Sequence, residues 1–318
     1  MRTILYSILL AVALIVGYSL YCARNPTELA VPQSIAQDNT IKMQEYIYAG
    51  ANRYATVIVG SSLSATMPAE ALPADCYNLA FRGMSVFEGF EILKRSGQVP
   101  KQIFVEINTL DRRPNPRSVD ALFNPIGHPL RKALAGTHDR NQPVNRLFAV
   151  GLTLMTKQNP ERGQEIRKKL GARHTGRYVP DAQDLVEKPL SPSRQALRQK
   201  VLAELATDQA TAPKEARMET NLSLLRKQAE YFMNRGTQVV FFEMPSSPPM
   251  CAGARMASIR ADVRQELSDK RYTFLAAPEC TQYQTTDGQH LSDASSLRFA
   301  LQTSQAVQFL RTQQKGSL

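Results

Sequence analysis

The chain is poor in the residues that hold metals or run redox chemistry. Its 318 residues contain only four histidines and four cysteines. The cysteines, Cys22, Cys76, Cys251 and Cys280, form no C-x-x-C pair and no metal-ligand spacing, which argues against zinc modules and thioredoxin-like sites. No metal and no cofactor is expected. Cys251 and Cys280 flank one helix-and-strand segment; they are a candidate pair in an oxidising compartment, and otherwise two free thiols. Long apolar runs are equally scarce. Ile4–Tyr21 carries no charge over 18 residues, just enough to cross a bilayer core as a helix. The other apolar stretches are short and strand-like, so a single anchor over residues 1–23 is expected. A cleaved signal peptide is the alternative, but Tyr21 lies two positions before Ala23 and directly before Cys22, a poor fit to either kind of cleavage site.

Arg2 and the amino terminus lie on one side of this run, and Arg24 is soon followed by Glu28 on the other. The positive-inside rule then places the N-terminus in the cytoplasm. The expectation is a single-pass inner-membrane protein whose bulk faces the periplasm or cell exterior. What is abundant is positive charge, a formal +11, which favours anionic partners. A location outside the cytoplasm argues against nucleic acid. Much of the excess is local: Arg131 to Lys200 holds 15 Lys+Arg against 6 Asp+Glu. This basic stretch is either a solvated face or a surface for anionic lipid headgroups or an anionic glycopolymer.

Residues 24–50 read as a polar stalk and 51–318 as one domain. Five short runs read as strands: 55–59, 76–80, 101–107, 238–244 and 272–276. Between and after them, 86–95, 220–235, 255–267 and 294–312 read as helices, with Gly236 capping the second. Strands alternating with helices imply an α/β fold with a mostly parallel sheet covered on both faces. The Pro- and Arg-rich stretch of about 112–216 breaks the rhythm and reads as a basic helical insertion. Ligands of such sheets sit beyond the strands' C-terminal ends, which singles out Ser61, Ser62, Gly83 and Asn108.

Gly60-Ser61-Ser62-Leu63 follows the first strand directly. A serine hydroxyl is a weak nucleophile until a base takes its proton, and a glycine turn can present it at the sheet's rim. Asp287-Gly288-Gln289-His290 supplies a base with its own carboxylate in local register: Asp287 can accept the His290 Nδ1 proton and fix its tautomer. His128, His138 and His174 lie in the basic insertion and read as surface residues. Glu106 and Glu243 end or nearly end strands and read as solvated carboxylates or pocket acids. Arg82, beside Gly83, reads as a surface residue or as a contact for an anionic substrate.

These blocks resemble the SGNH (GDSL-type) hydrolase superfamily. Gly60-Ser61-Ser62-Leu63 is similar to its first block, with Ser61 where an Asp is usual. Asn78-Leu79-Ala80-Phe81-Arg82-Gly83 is similar to the second, and Asp287-Gly288-Gln289-His290-Leu291 to the last. Asn108 resembles the Asn of the third block, although Glu106-Ile107-Asn108-Thr109 stands in place of Gly-x-Asn-Asp. The resemblance implies a three-layer α/β/α fold, a Ser62-His290-Asp287 triad, and an oxyanion hole from Ser62, Gly83 and Asn108. The Gly-Ser-Ser block and the single span resemble the branch with the D-alanyl transfer protein of teichoic-acid modification and the periplasmic polysaccharide O-acetylation proteins. That branch implies a membrane-bound O-acyltransferase as partner and O-acylation of a cell-envelope polysaccharide. An SGNH esterase or lipase, and a non-catalytic assembly factor, remain as alternatives.

Overall fold

Five β-branched or aromatic runs become the strands of one parallel sheet in a computed structural model, which describes residues 1–27, 29–50, 53–169, 173–174, 182–209, 213 and 215–316. The strands are β1 (Thr56–Val59), β2 (Cys76–Asn78), β3 (Gln102–Glu106), β4 (Gln238–Phe242) and β5 (Thr273–Phe274), in the order β2-β1-β3-β4-β5. All five coincide with the expected runs. Ile58 lies beside Phe104, and Phe104 beside Val240, so side chains of one parity share a face. Phe104, Val240 and Phe242 pack with Leu297, Phe299 and Ala300 of the terminal helix Asp293–Gly316. On the other face Val59 is approached by Gly89 of helix Val86–Ser96: a Cβ there would lie 2.7 Å from a Val59 methyl. Phe90 of that helix stacks on Phe232 of helix Glu215–Met233, ring centres 5.9 Å apart. Continuous apolar strands buried on both sides are the sequence signature this arrangement needs.

The chain forms two compact units, residues 1–50 with 117–177, and residues 51–116 with 178–318. This differs from the expected stalk, domain and insertion. Residues 35–47 are a helix capped by Ser34, whose hydroxyl accepts the Gln37 N–H at 3.1 Å. The helix buries Ile41, Met43 and Tyr46. It also buries Gln44, whose amide exchanges two 2.8 Å hydrogen bonds with Asp139. A polar composition therefore hides a packed helix, in which Gln44 finds its partner within the fold rather than in water. The basic stretch divides at about residue 177, and helix Pro192–Gln209 belongs to the sheet unit.

In the first unit, helix Arg2–Arg24 has 23 residues and is long and apolar enough to cross a membrane. Only Ser19 and Cys22, near its C-terminal end, are buried. His138 stacks on Tyr48 at 4.9 Å and donates Nε2–H to the Arg131 carbonyl, and burial lowers its pKa. His128 also meets Tyr48. Neither is the free surface residue expected from sequence, and the His174 side chain lies outside the described residues.

Candidate active site

The turn after β1 brings Ser62 to the C-terminal edge of the sheet. Ser61 O accepts the Ala65 N–H at 3.0 Å, so the chain curls into a helical turn as soon as the strand ends. The turn is pinned from beneath by Glu106, the last residue of neighbouring β3. This carboxylate is fully buried and accepts four hydrogen bonds. The Ser61 N–H donates at 2.9 Å, the Ser61 hydroxyl at 2.6 Å, the Ser64 N–H at 3.1 Å and the Ser64 hydroxyl at 2.5 Å. Glu106 is thus neither a solvated carboxylate nor an open pocket acid. Gly60 has no alternative in this packing: a Cβ would sit 2.1 Å from Ser64 Oγ and 2.6 Å from Glu106 Oε2. Asn78 of β2 braces the same turn by donating to Ser64 O at 2.8 Å, and accepts the Ala80 N–H at 3.2 Å.

The loop before the terminal helix supplies the base. Its ends are joined by a bridge between Thr285 and Leu291, and the Thr286 N–H donates to His290 O at 2.8 Å. Gly288 takes φ +91, and a Cβ there would also strike Leu202 at 2.6 Å, so a glycine is needed twice over. Within the turn, Asp287 Oδ1 accepts the N–H groups of Gln289 and His290 at 2.9 and 2.8 Å. Its Oδ2 accepts His290 Nδ1–H at 2.7 Å. Burial pushes the Asp287 carboxyl up, but these bonds from the His290 ring and the two backbone N–H groups outweigh it and hold the pKa at about 2. Asp287 therefore stays ionised. The Nε2 lone pair of His290 is left facing Ser62 Oγ, 3.1 Å away across 228 residues of sequence. Serine, imidazole and carboxylate form one continuous hydrogen-bonded line, and the imidazole is about one-third exposed.

Among the described residues, the Ser62 and Gly83 N–H groups have no intramolecular acceptor. Gly83 is exposed and held at φ +74 in the turn after β2. Asn108 is placed differently from expectation. Its Nδ2 donates to Met244 O at 2.9 Å and its Oδ1 accepts the Met244 N–H at 2.7 Å, so its side chain joins the ends of β3 and β4. One Nδ2 hydrogen stays uncommitted, and no hydrogen bond links Asn108 to the triad.

Glu243 forms a two-pronged pair with Arg260, both bonds 2.7 Å, and Asp111 does the same with Arg255. The first pair occupies Glu243, which the sequence leaves open as a pocket acid. Cys251 and Cys280 are joined as a disulfide, Cα atoms 6.5 Å apart, while Cys22 and Cys76 are buried and free. The bridge ties the segment leading into the His290 loop to Pro248–Cys251, and the Ser247 N–H donates to Gly288 O at 3.1 Å. An apolar cavity of about 220 Å³, lined by Leu205, Ala206, Met250 and Ala254 among others, shares Leu202 with the same loop. No cluster of three or more metal-ligating side chains occurs among the described residues. What the arrangement can do chemically is deprotonate a positioned serine hydroxyl, the first step of acyl transfer.

The sequence marks Ser62, Asp287 and His290, and the structure brings all three together. It hides the part played by Glu106, for which the one available signal is a carboxylate ending a mostly apolar strand beside the strand that leads to Ser62. Comparison with protein-family models, with curated proteins and with solved structures returned no match, so the reading of this site rests on its own geometry.

Proposed function

We propose that this chain is a membrane-anchored, extracytoplasmic acyl-transfer protein. The observation that supports it most is the alignment of Ser62 Oγ, His290 and Asp287, with contacts of 3.1 and 2.7 Å. Ser62 Oγ attacks an ester or thioester carbonyl while His290 Nε2 takes its proton. The tetrahedral oxyanion is received by the N–H groups of Ser62 and Gly83, with the spare Asn108 N–H as a further donor. Each such donor is worth about 3 kcal/mol in the transition state. His290 then protonates the leaving group, and the acyl group rests on Ser62. In the second half His290 deprotonates an incoming hydroxyl, which attacks the acyl-serine; the bond from the acyl carbon to Ser62 Oγ then breaks, and His290 returns the proton to Ser62 Oγ. Asp287 stabilises the imidazolium in both halves.

The likeness of the blocks to the SGNH superfamily, and to its envelope-modifying branch, supports a polysaccharide hydroxyl as acceptor and a membrane-bound O-acyltransferase as donor-side partner. Arg2–Arg24, which has the length and apolarity of a membrane span, fits that setting. A serine-directed fluorophosphonate tests the chemistry. Ser62 of the native chain is expected to be labelled, labelling is lost in Ser62→Ala and falls by orders of magnitude in His290→Ala. Equal labelling of native chain and His290→Ala removes His290 from its role. Rapid turnover of a simple ester by the purified protein, with no acyl transfer to a glycan, favours the esterase alternative.

A further inference from the structure

Helix Pro143–Gln158, in the first unit, is inside out. Its buried positions are Asn145, Arg146, Ala149 and Leu152. Its exposed large residues are Val144, Leu147, Phe148, Val150, Leu154 and Met155, with Leu147 as much as 74% exposed. At a helical repeat these six share one broad face. The one charge between Pro143 and Thr156, Arg146, is turned inward. A water-facing helix does the reverse, and an apolar patch of this extent marks a surface that another phase or molecule covers.

The residues on the helix's polar side indicate which. Arg146 lies over the Tyr21 ring at 5.0 Å and donates to Asn25 O at 2.7 Å. Tyr18 donates its hydroxyl to Asn141 O, and Ser19 Oγ accepts the Gly136 N–H at 3.2 Å. The start of helix Pro143–Gln158 is therefore fastened to the last two turns of Arg2–Arg24, where a membrane-crossing helix leaves the bilayer. The helix has 16 residues, a length of about 24 Å and short of the roughly 30 Å hydrocarbon core. Beyond the apolar face come Lys157 and Arg162, both exposed and suited to phosphate headgroups. We infer that the Val144–Met155 face lies in the membrane interface, as a second contact with the same bilayer that Arg2–Arg24 crosses. The inference rests on reading Arg2–Arg24 as a span.

The chain contains no tryptophan, so a single one can be placed as a depth probe. The experiment uses full-length protein in phosphatidylcholine–phosphatidylglycerol vesicles carrying bromine at shallow or deep acyl positions. Three variants are compared: Phe148→Trp on the proposed face, Leu10→Trp within the span, and Phe309→Trp at an exposed site of the sheet unit. Phe148→Trp is expected to lose most of its emission to shallow bromines, less to deep ones, and little to aqueous acrylamide. Leu10→Trp is expected to be quenched by deep bromines, and Phe309→Trp by acrylamide alone. If Phe148→Trp responds to acrylamide and not to bromine while Leu10→Trp is quenched, the interfacial contact is wrong and the span stands. If Phe148→Trp is shielded from both quenchers and cross-links as a dimer, the face is covered by a second copy, which equally overturns the inference. An unquenched Leu10→Trp refutes the span itself.

Discussion

Replacing Glu106 with glutamine removes one negative charge and keeps the shape of the group under the Ser62 turn. The native carboxylate accepts two backbone N–H groups and two hydroxyls in a fully buried position. Hydrogen bonds to a charged acceptor are worth about 1.5–3 kcal/mol and those to a neutral one about 0.5–1.5. A glutamine oxygen at the Oε2 position keeps both N–H bonds at the weaker value. Its NH2 then faces Ser61 Oγ, which must become an acceptor although it already receives the Leu63 N–H at 3.2 Å. Part of the loss is offset because a neutral amide costs less to bury than an ion. The net expectation is a destabilisation of about 2 kcal/mol, a fall in Tm of about 4–8 °C for a unit of this size. Glu106→Ala orphans both N–H groups, each at about 1–3 kcal/mol, and adds a cavity, so it is expected to be clearly worse. The assay is thermal unfolding alongside the rate of fluorophosphonate labelling of Ser62. Both variants should label more slowly, because the turn that aims Ser62 loosens before the sheet melts. If Glu106→Gln melts and labels like the native chain, or Glu106→Ala is no worse than Glu106→Gln, Glu106 does not hold the turn.

Two further outcomes are expected. The Asp287 carboxyl, held at about 2 in the fold against about 3.9 in an unfolded chain, adds stability that is fully present above the unfolded value and is lost as pH falls through about 2. The stability gap between the native chain and Asp287→Asn should therefore narrow steadily below pH ~4; a gap that stays constant contradicts the depressed pKa. Cutting the Cys251–Cys280 bridge by changing both residues to serine opens a loop with a sequence separation of 29, which in the chain-entropy account costs about 3–4 kcal/mol. Urea unfolding with and without a reductant measures this, and identical midpoints would show that the bridge contributes nothing.

The sheet was readable because each strand is a short apolar run ended by a turn residue, and the run survives burial on both faces. The triad was readable for a related reason: Gly60, Gly288 and the Asp287–His290 spacing are local requirements of two tight turns. Relations decided by packing rather than by local chemistry were not legible. Residues 35–47 look like a solvated stalk because burial of a polar residue such as Gln44 depends on a partner 95 residues away, Asp139. Helix Pro143–Gln158 carries an ordinary amphipathic pattern, and which side faces out is fixed by tertiary contacts: Tyr21 and Asn25 take Arg146, and Leu29 and Val31 pack with Ala149 and Leu152. Asn108 follows its strand as the sequence suggests, but the tie of its side chain to Met244, which leaves one Nδ2 hydrogen over, is a packing relation that the sequence does not show.

The 228-residue separation of Ser62 and His290 has a consequence for timing. A polypeptide is made from its N-terminus, so the Ser62 hydroxyl emerges 228 residues ahead of the His290 imidazole. Until His290 follows, the Ser62 hydroxyl has no imidazole beside it and stays an ordinary alcohol. The Ser62–His290–Asp287 line therefore assembles only when the two turns meet in the fold.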